Sequence, residues 1–129
     1  MIKAKVVGAG GYGGVGITEL LLNHPEVEIG CLVSPSDVGR KMSDVFPHLR
    51  GFCDEMIVAV DDPKAQEKYD VFFFSTPDGV GMESARAELD RGAKVIDYSG
   101  DFRFNEPEKY AEYANFLGRD PVHKSADLL

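Results

Sequence analysis

"KAKVVGAGGYGGVGITELLLN", residues 3–23, joins a β-branched run to a leucine-rich run through a turn crowded with glycines. Lys3 to Val7 predicts a strand, and Gly13 to Asn23 predicts a helix with apolar residues on one face. The first N–H groups of a helix lack partners and carry a partial positive charge, so they attract phosphate. Glycines let a phosphate approach this backbone closely. The stretch therefore predicts a strand–turn–helix unit that holds an anionic ligand.

Two glycine spacings in this turn fit phosphate-binding patterns. Gly8, Gly10 and Gly13 match G-x-G-x-x-G, the fingerprint of dinucleotide-binding domains. Gly8, Gly11 and Gly14 match a variant, G-x-x-G-x-x-G. Both spacings place the pyrophosphate of a dinucleotide at the start of the helix. A glycine-rich turn without a ligand is the alternative interpretation.

Short apolar runs alternate with helical patterns along the rest of the chain. Strands are predicted over 27–33, 56–60, 71–74 and 94–97, and helices over 63–69, 79–90 and 107–116. This alternation indicates a single domain over 1–129 with a Rossmann-like α/β fold, in which helices cover both faces of a doubly wound, mostly parallel sheet. The amphipathic pattern of 117–129 stops without a terminating loop, so we expect the chain to be part of something longer, with a frayed helix at the end of a domain as the alternative.

The composition limits the classes of function. A chain of 129 residues, 43% of them hydrophobic, is long enough for one domain with its own core. A net charge of -8 argues against nucleic acid or an anionic membrane surface as a partner. The sequence shows no long apolar run and no signal peptide, and its two cysteines make no disulfide framework. We therefore expect a cytoplasmic protein that binds a small molecule, and we predict no metal site.

The segment after the second predicted strand should lie near the ribose of a bound dinucleotide. An acidic residue at this place favours NAD, whereas hydroxyls and an arginine suit the 2′-phosphate of NADP. Ser34, Ser36 and Arg40 therefore favour NADP as the cofactor, and Asp37 opposes this choice if its side chain points inward. The competing interpretation is that Arg40 and Lys41 are an ordinary solvated pair.

Ser75, Thr76 and Pro77 follow the most apolar predicted strand, at the edge where ligands of open α/β sheets bind. We expect these residues to form a wall for the nicotinamide. Thr76 is also predicted to cap the next helix, with Pro77 at its first position.

The segment DYSGDFRF, residues 97–104, alternates polar and aromatic side chains after the last predicted strand. In an extended conformation Ser99, Asp101 and Arg103 share one face. They either face a substrate as a polar wall or belong to a half-buried strand with an internal Asp–Arg pair.

Four stretches, spread in order over nearly the whole chain, resemble the N-acetyl-γ-glutamyl-phosphate reductase family, which is related to aspartate-semialdehyde dehydrogenase. They are GAGGYGGVGITELLLNHPEVEI, SDVGRKMSDVFPHLRG, STPDGVGMESARAELDRGAKVIDYSGDFRF and PEKYAEY. The family motif G-x-x-G-Y-x-G selects three glycines and a tyrosine, namely Gly8, Gly11, Tyr12 and Gly14. Two positions depart from the family: Gly10 replaces a serine or threonine, and Asp78 replaces a histidine.

The resemblance implies reduction of an acyl phosphate by NADPH in arginine biosynthesis, and a homo-oligomeric full-length protein. In this family a cysteine thiolate displaces phosphate to form a thioester, which hydride reduces to a semialdehyde, and a histidine acts as acid and base. The family's cysteine lies in an N-P-G-C-Y-P-T type motif that this sequence lacks. Cys31, Cys53 and the three histidines, among them His123, match no such site. The resemblance therefore implies that residues 1–129 are the dinucleotide-binding domain of a two-domain enzyme, truncated before the catalytic and dimerisation domain. We expect no catalytic residue in this chain and no turnover by the chain alone.

Other functions remain open at this point. A reductase of aspartyl phosphate is disfavoured by the VIDYSGDFRF stretch, whereas one of carrier-bound aminoadipyl phosphate is harder to exclude. A third alternative, of another class, is a stand-alone NADP-binding sensor or interaction module.

Overall fold

The computed structural model describes residues 1–119 and contains one sheet of five parallel strands. The strands are β1 (Ile2–Val7), β2 (Val27–Val33), β3 (Ile57–Val58), β4 (Val71–Phe74) and β5 (Lys94–Asp97). The helices are α1 (Tyr12–Leu22), α2 (Met42–Val45), α3 (Val80–Asp90) and α4 (Pro107–Phe116), with short 3-10 turns at Pro47–Leu49 and Pro63–Gln66. The strand order β3-β2-β1-β4-β5 is that of a Rossmann sheet, which confirms the predicted fold.

Each face of the sheet carries its own apolar layer. On one face, Ala4 and Val6 of β1 pack with Ile17 and Leu21 of α1. On the other face, the buried side chains come from β2, β4 and the segment between β3 and β4, and include Cys31, Val33, Tyr69, Phe72 and Phe74. Alternate residues of a strand point to opposite faces, so a sheet covered on both sides needs strands that are apolar throughout. The run Val71–Phe74 meets this requirement and lies next to the central strand.

The strand register brings the predicted site residues to one edge of the sheet. Val7 at the end of β1 pairs with Val33 on one side and with Phe74 on the other. Phe74 in turn pairs with Asp97 at the end of β5. The residues that follow these strand ends therefore meet at the carboxyl edge, although they are far apart in sequence.

Three local predictions differ from the structure. The third strand is only Ile57–Val58, and the helix predicted over 63–69 is the short turn Pro63–Gln66. Asp62 caps that turn by accepting from Lys64 N at 2.8 Å. The segment 98–104 is a series of turns and bends, so the prediction of an extended strand there is wrong.

The cap predicted for α3 is also wrong. The helix begins at Val80, behind Gly79 with a φ of 104°, and not at Pro77. The hydroxyl of Thr76 lies before the helix and caps nothing. The carboxylate of Asp101, from the loop after β5, takes this role.

Within residues 1–119, no helix is long and apolar enough to cross a bilayer. His123 and the rest of the pattern from position 120 onward lie outside the described residues.

Candidate functional site

The glycine turn between β1 and α1 is built against the neighbouring strands. Gly8 has a φ of 87°, which favours glycine, and a Cβ on it would collide with the carbonyl of Ser75. The amides of Gly8 and Ala9 both donate to the carbonyl of Val33, at 2.8 and 3.0 Å. The turn is therefore fixed between the ends of β2 and β4.

The structure explains the other glycines of the motif one by one. A Cβ on Gly14 would strike the backbone of Gly8 and Ala9, so this glycine allows close packing of α1 on the turn. A Cβ on Gly13 would strike the hydroxyl of Ser75. Gly11 differs, because its Cβ would meet only the Gly8 carbonyl, at an ordinary 3.7 Å. Nothing in the fold itself requires a glycine at position 11.

The N-terminus of α1 has no capping side chain. Gly11 is the N-cap residue, no side chain caps the helix, and its first turn contains no acidic residue. The ring of Tyr12 projects into solvent and is 94% exposed. The first amides of the helix therefore remain available to an anion, and their partial positive charge favours one. A protein with a net charge of -8 needs such a local donor set to hold a phosphate.

Four polar side chains gather beside the turn, at the end of β2. A Cβ on Gly10 would lie 2.9 Å from Ser34 Oγ and 3.5 Å from both Ser36 Oγ and Asp37 Oδ2. Arg40 Nη1 donates to Asp37 Oδ1 at 2.6 Å. The structure thus brings together Ser34, Ser36 and Arg40, as the sequence predicted, and shows that Asp37 does point inward.

The space beside Gly10 is occupied by hydroxyls of the next loop. Ser34 is 2% exposed, and its Oγ lies 3.3 Å from Ser36 Oγ. A serine or threonine side chain at position 10 would require Ser34 to shift. The departure from the family pattern at Gly10 therefore fits its surroundings in this chain.

Ser75, Thr76 and Pro77 line the same edge at the end of β4. The Ser75 side chain packs on Gly13, and Pro77 is exposed. Thr76 Oγ1 is buried and has no hydrogen-bond partner among the described residues. A buried hydroxyl without a partner costs free energy, so this atom is a candidate for contact with a ligand.

The loop after β4 and the loop after β5 exchange hydrogen bonds through two aspartates. Asp101 is fully buried and accepts from Gly79 N at 2.8 Å and from Met82 N at 2.9 Å, which caps α3. Asp78 accepts from Gly100 N at 2.8 Å and from the Tyr110 hydroxyl at 3.1 Å. Each loop is therefore held by a carboxylate of the other.

The segment predicted to face a substrate is only partly placed to do so. Asp101 points into the protein and acts on the backbone of α3. Arg103 is exposed, donates to the Tyr113 hydroxyl at 2.9 Å and lies over that ring, 5.2 Å from its centre. Ser99 accepts from Asp101 N through its hydroxyl at 3.2 Å. Arg103 and Ser99 stay at the carboxyl edge, whereas Asp101 positions the loops.

Asp97 ends β5 beneath these loops. Its Oδ1 accepts from Ser99 N at 2.7 Å, and its Oδ2 is buried without a hydrogen-bond partner among the described residues. Burial, with smaller contributions from Asp101 and Asp78, raises the pKa of this carboxyl above its ordinary value.

Both thiols are buried and unactivated. Burial is the main cause that raises the pKa of Cys31 and of Cys53, and Asp54 and Glu55 add to it at Cys53. No group of side chains within residues 1–119 is arranged to hold a metal ion.

Sequence reasoning missed the Asp78–Tyr110 contact and the buried role of Asp101. Both join segments that lie 19 to 32 positions apart in sequence, and no local pattern marks them. The sequence predicts that Asp37 opposes NADP only if its side chain points inward. Only the structure shows the direction of that side chain.

Comparison with known proteins gives one family for this architecture. The family model for the NAD binding domain of semialdehyde dehydrogenase matches residues 3–126. N-acetyl-gamma-glutamyl-phosphate reductase of Acidithiobacillus ferrooxidans is 41% identical over 121 residues, which cover 94% of this chain and 35% of that protein. The Pseudomonas putida protein of the same name is 41% identical over 129 residues and is covered to 36%. The chain thus spans about a third of the length of these curated relatives.

Solved structures show the same fold at lower identity. Aspartate semialdehyde dehydrogenase from Candida albicans, solved with NADP, matches with a TM-score of 0.64 and 21% identity, over 94% of this chain and 40% of that chain. Aspartate semialdehyde dehydrogenase II from Vibrio cholerae, complexed with ASA, matches with a TM-score of 0.62 and 19% identity, over 89% of this chain and 36% of that chain.

Proposed function

The chain belongs to the family of semialdehyde dehydrogenase NAD-binding domains, and from this premise we propose that it is the cofactor-binding domain of an NADPH-dependent reductase. The reaction is the reductive dephosphorylation of N-acetyl-γ-glutamyl phosphate to the semialdehyde, a step of arginine biosynthesis. The relatives at 41% identity carry the name of this enzyme, whereas the aspartate semialdehyde dehydrogenases are about 20% identical. This contrast favours the glutamyl substrate over the aspartyl one.

The observation that carries the proposal is the bare N-terminus of α1 at the carboxyl edge of the sheet. Its amides have no side-chain cap, the first turn of the helix contains no acidic residue, and Gly11 leaves the approach open. A pyrophosphate here would accept from the amides of Tyr12, Gly13 and Gly14. Such a site suits the linking phosphates of a dinucleotide, because fixed N–H dipoles hold an anion without a charged side chain.

The two ends of the cofactor follow from the strand order. The adenosine ribose would lie over the end of β2, beside Ser34, Ser36 and Arg40. The nicotinamide would lie over β4, against Ser75, Thr76 and Pro77, where the unpartnered Thr76 hydroxyl can bond its carboxamide. The fit is supported by the exposed side chains of Ser36 and Arg40 at the ribose end, and by the unpartnered Thr76 hydroxyl at the nicotinamide end.

Ser99 and Arg103 are the residues of this chain that we propose to face the substrate. The exposed Arg103 guanidinium suits a carboxylate or phosphate, since it can donate two parallel hydrogen bonds. Asp101 does not contact the substrate in this proposal. It holds α3 and the loop that carries Ser99 and Arg103.

The chemistry is divided between this domain and the rest of the enzyme. NADPH, when bound, supplies the hydride, while this chain binds and orients the cofactor. The nucleophilic cysteine of the family would come from a second domain, since neither Cys31 nor Cys53 is activated. We propose that the whole enzyme is a cytoplasmic homo-oligomer of two-domain subunits.

Substitution of Gly11 by valine tests the site directly. The fold leaves room for a side chain at this position, so we expect the protein to fold with NADPH binding weakened at least tenfold, as a branched side chain would stand where the phosphate lies. Gly16→Ala is the matched control on the same helix, because a Cβ there meets nothing within 4 Å. Isothermal titration calorimetry measures both. Unchanged affinity in a folded Gly11→Val protein would refute the proposed placement.

A turnover assay tests the division of labour. The chain alone, with NADPH and N-acetyl-γ-glutamyl phosphate, should oxidise no cofactor above the protein-free rate. Turnover that disappears in Cys53→Ser would place the nucleophile in this chain and contradict the proposed division.

A further inference from the structure

The loop after β2 holds a residue in an unusual backbone conformation beside the proposed ribose site. Asp37 has a φ of 62° and is the one non-glycine residue with a positive φ within the described part of the chain. Aspartate and asparagine tolerate this conformation better than most residues, but it still carries a cost. The turn is held by Arg40 N, which donates to the Asp37 carbonyl at 3.0 Å, and by Gly39 N, which donates to Ile57 O at 2.9 Å.

This conformation points the two carboxylate oxygens of Asp37 at different partners. Oδ1 accepts from Arg40 Nη1 at 2.6 Å. Oδ2 lies 3.5 Å from the position of a Cβ on Gly10, in the same cluster as the hydroxyls of Ser34 and Ser36. The Asp37 side chain is only 24% exposed, whereas that of Arg40 is 53% exposed. The carboxylate therefore lies between the glycine turn and the arginine.

Two side chains with opposite preferences for the cofactor, Asp37 and Arg40, lie together here. A carboxylate near the end of β2 accepts from the 2′-hydroxyl of NAD and repels a 2′-phosphate, whereas an arginine attracts that phosphate. Here the two groups are bonded to each other. A 2′-phosphate carries nearly two negative charges, so it competes with Asp37 for the same guanidinium and is repelled by the neighbouring carboxylate.

We propose that the Asp37–Arg40 ion pair limits the preference of this site for NADP, with Asp37 acting as an internal competitor for the arginine that would hold the 2′-phosphate. This inference rests on the proposed function. Asp37 is a specificity-determining residue in this account: its carboxylate supports NADH through the ribose hydroxyl and opposes NADPH. Arg40 gains its full effect on NADPH only when that carboxylate is removed.

Calorimetric titration of the full chain with NADPH and with NADH tests the proposal. In Asp37→Asn we expect the Kd for NADPH to fall about tenfold and the Kd for NADH to rise severalfold, the scale of one charge-assisted hydrogen bond. Asparagine accepts a positive φ, and Asp37→Gly removes the carboxylate while relieving the φ, so one of the two variants folds if the other does not. Arg40→Gln added to Asp37→Asn should abolish the gain for NADPH.

Asp90→Asn is the control for net charge, because Asp90 is exposed at the end of α3, by the opposite edge of the sheet. A ratio of the two Kd values that stays constant in both Asp37 variants would overturn the inference. So would an equal change of that ratio in Asp90→Asn. Failure of the proposed function gives a different result, in which the wild-type chain binds neither nucleotide.

Discussion

The buried hydroxyl of Tyr110 on α4 donates a hydrogen bond to the carboxylate of Asp78, 32 positions earlier in the chain. Asp78 also accepts from Gly100 N, so one side chain joins the loop after β4, the loop after β5 and the last described helix. The Asp78 carboxylate therefore ties together the loops that carry Thr76, Ser99 and Arg103.

Removal of the Tyr110 hydroxyl should therefore weaken the protein. Tyr110→Phe leaves a partly buried carboxylate oxygen without this donor, and we expect the free energy of unfolding to fall by about 1–2 kcal/mol. Tyr113→Phe is the matched control on the same helix, since its hydroxyl accepts from the exposed Arg103. Urea unfolding of the two variants gives the comparison. An equal loss of unfolding free energy in both variants would show that the buried Tyr110–Asp78 hydrogen bond stabilises the protein no more than the exposed one.

Asp97 should make stability depend on pH. Its pKa is raised in the folded state, mainly by burial, so the folded protein binds the proton more tightly than the unfolded chain. Asp97 therefore contributes to the free energy of unfolding at low pH. This contribution is lost as the pH rises from the ordinary pKa of 3.8 through the raised pKa. Asp97→Asn should remove this loss, so its stability relative to wild type should increase with pH across that window.

Thermal or urea unfolding at a series of pH values measures this difference. Asp90→Asn, which removes an exposed carboxylate, serves as the control. A difference between Asp97→Asn and wild type that does not change with pH would argue against a raised pKa at Asp97.

Lys5 should have the opposite dependence. This lysine is 6% exposed, donates to the carbonyl of Ala65 and lies over the ring of Phe72, 5.0 Å from its centre. Burial lowers its pKa, so the unfolded chain holds the proton more tightly than the folded one. Stability should therefore rise as the pH increases from the lowered pKa towards the ordinary value of 10.5.

Lys5→Met isolates this effect, because methionine keeps an apolar chain of similar length without the charge. Wild type should gain stability relative to Lys5→Met in the alkaline range, as followed by circular dichroism during urea unfolding. Lys3→Met in the same strand is the control, since the Lys3 side chain is 59% exposed. Wild type should not gain the same stability at alkaline pH relative to Lys3→Met. An equal gain relative to both variants would mean that the effect comes from the loss of any lysine charge and not from the burial of Lys5.

Much of the fold was predictable from local sequence. The run before Gly8, the glycine turn and the amphipathic helix after it define a βα unit without help from distant residues, because hydrophobic period and glycine content are local properties. The same is true of Val71–Phe74, where four apolar residues in a row predict a strand covered on both faces. The place of the site at the carboxyl edge then follows from parallel strands.

The details of the edge were decided by tertiary structure. Thr76 and Pro77 carry the local signals of a helix start, yet α3 begins at Val80, because Asp101 supplies a buried carboxylate to its first amides. A distant acceptor of this kind outweighs the local preference and leaves no trace in the sequence around Thr76. The segment 98–104 likewise folds into turns, because it exchanges hydrogen bonds with the loop after β4.

The sequence by itself determined that a glycine turn joins β1 to α1 and that the helix begins without a side-chain cap, since the glycines and the strand–helix junction are local features. Which way Asp37 points, and that it holds Arg40, was decided by the packing of the loop after β2 against Gly10. Strand pairing places residues from separate parts of the chain within a few ångströms, and their charges then interact at a strength set by distance and burial. Local sequence sets the elements, whereas the contacts among their ends set the chemistry of the edge.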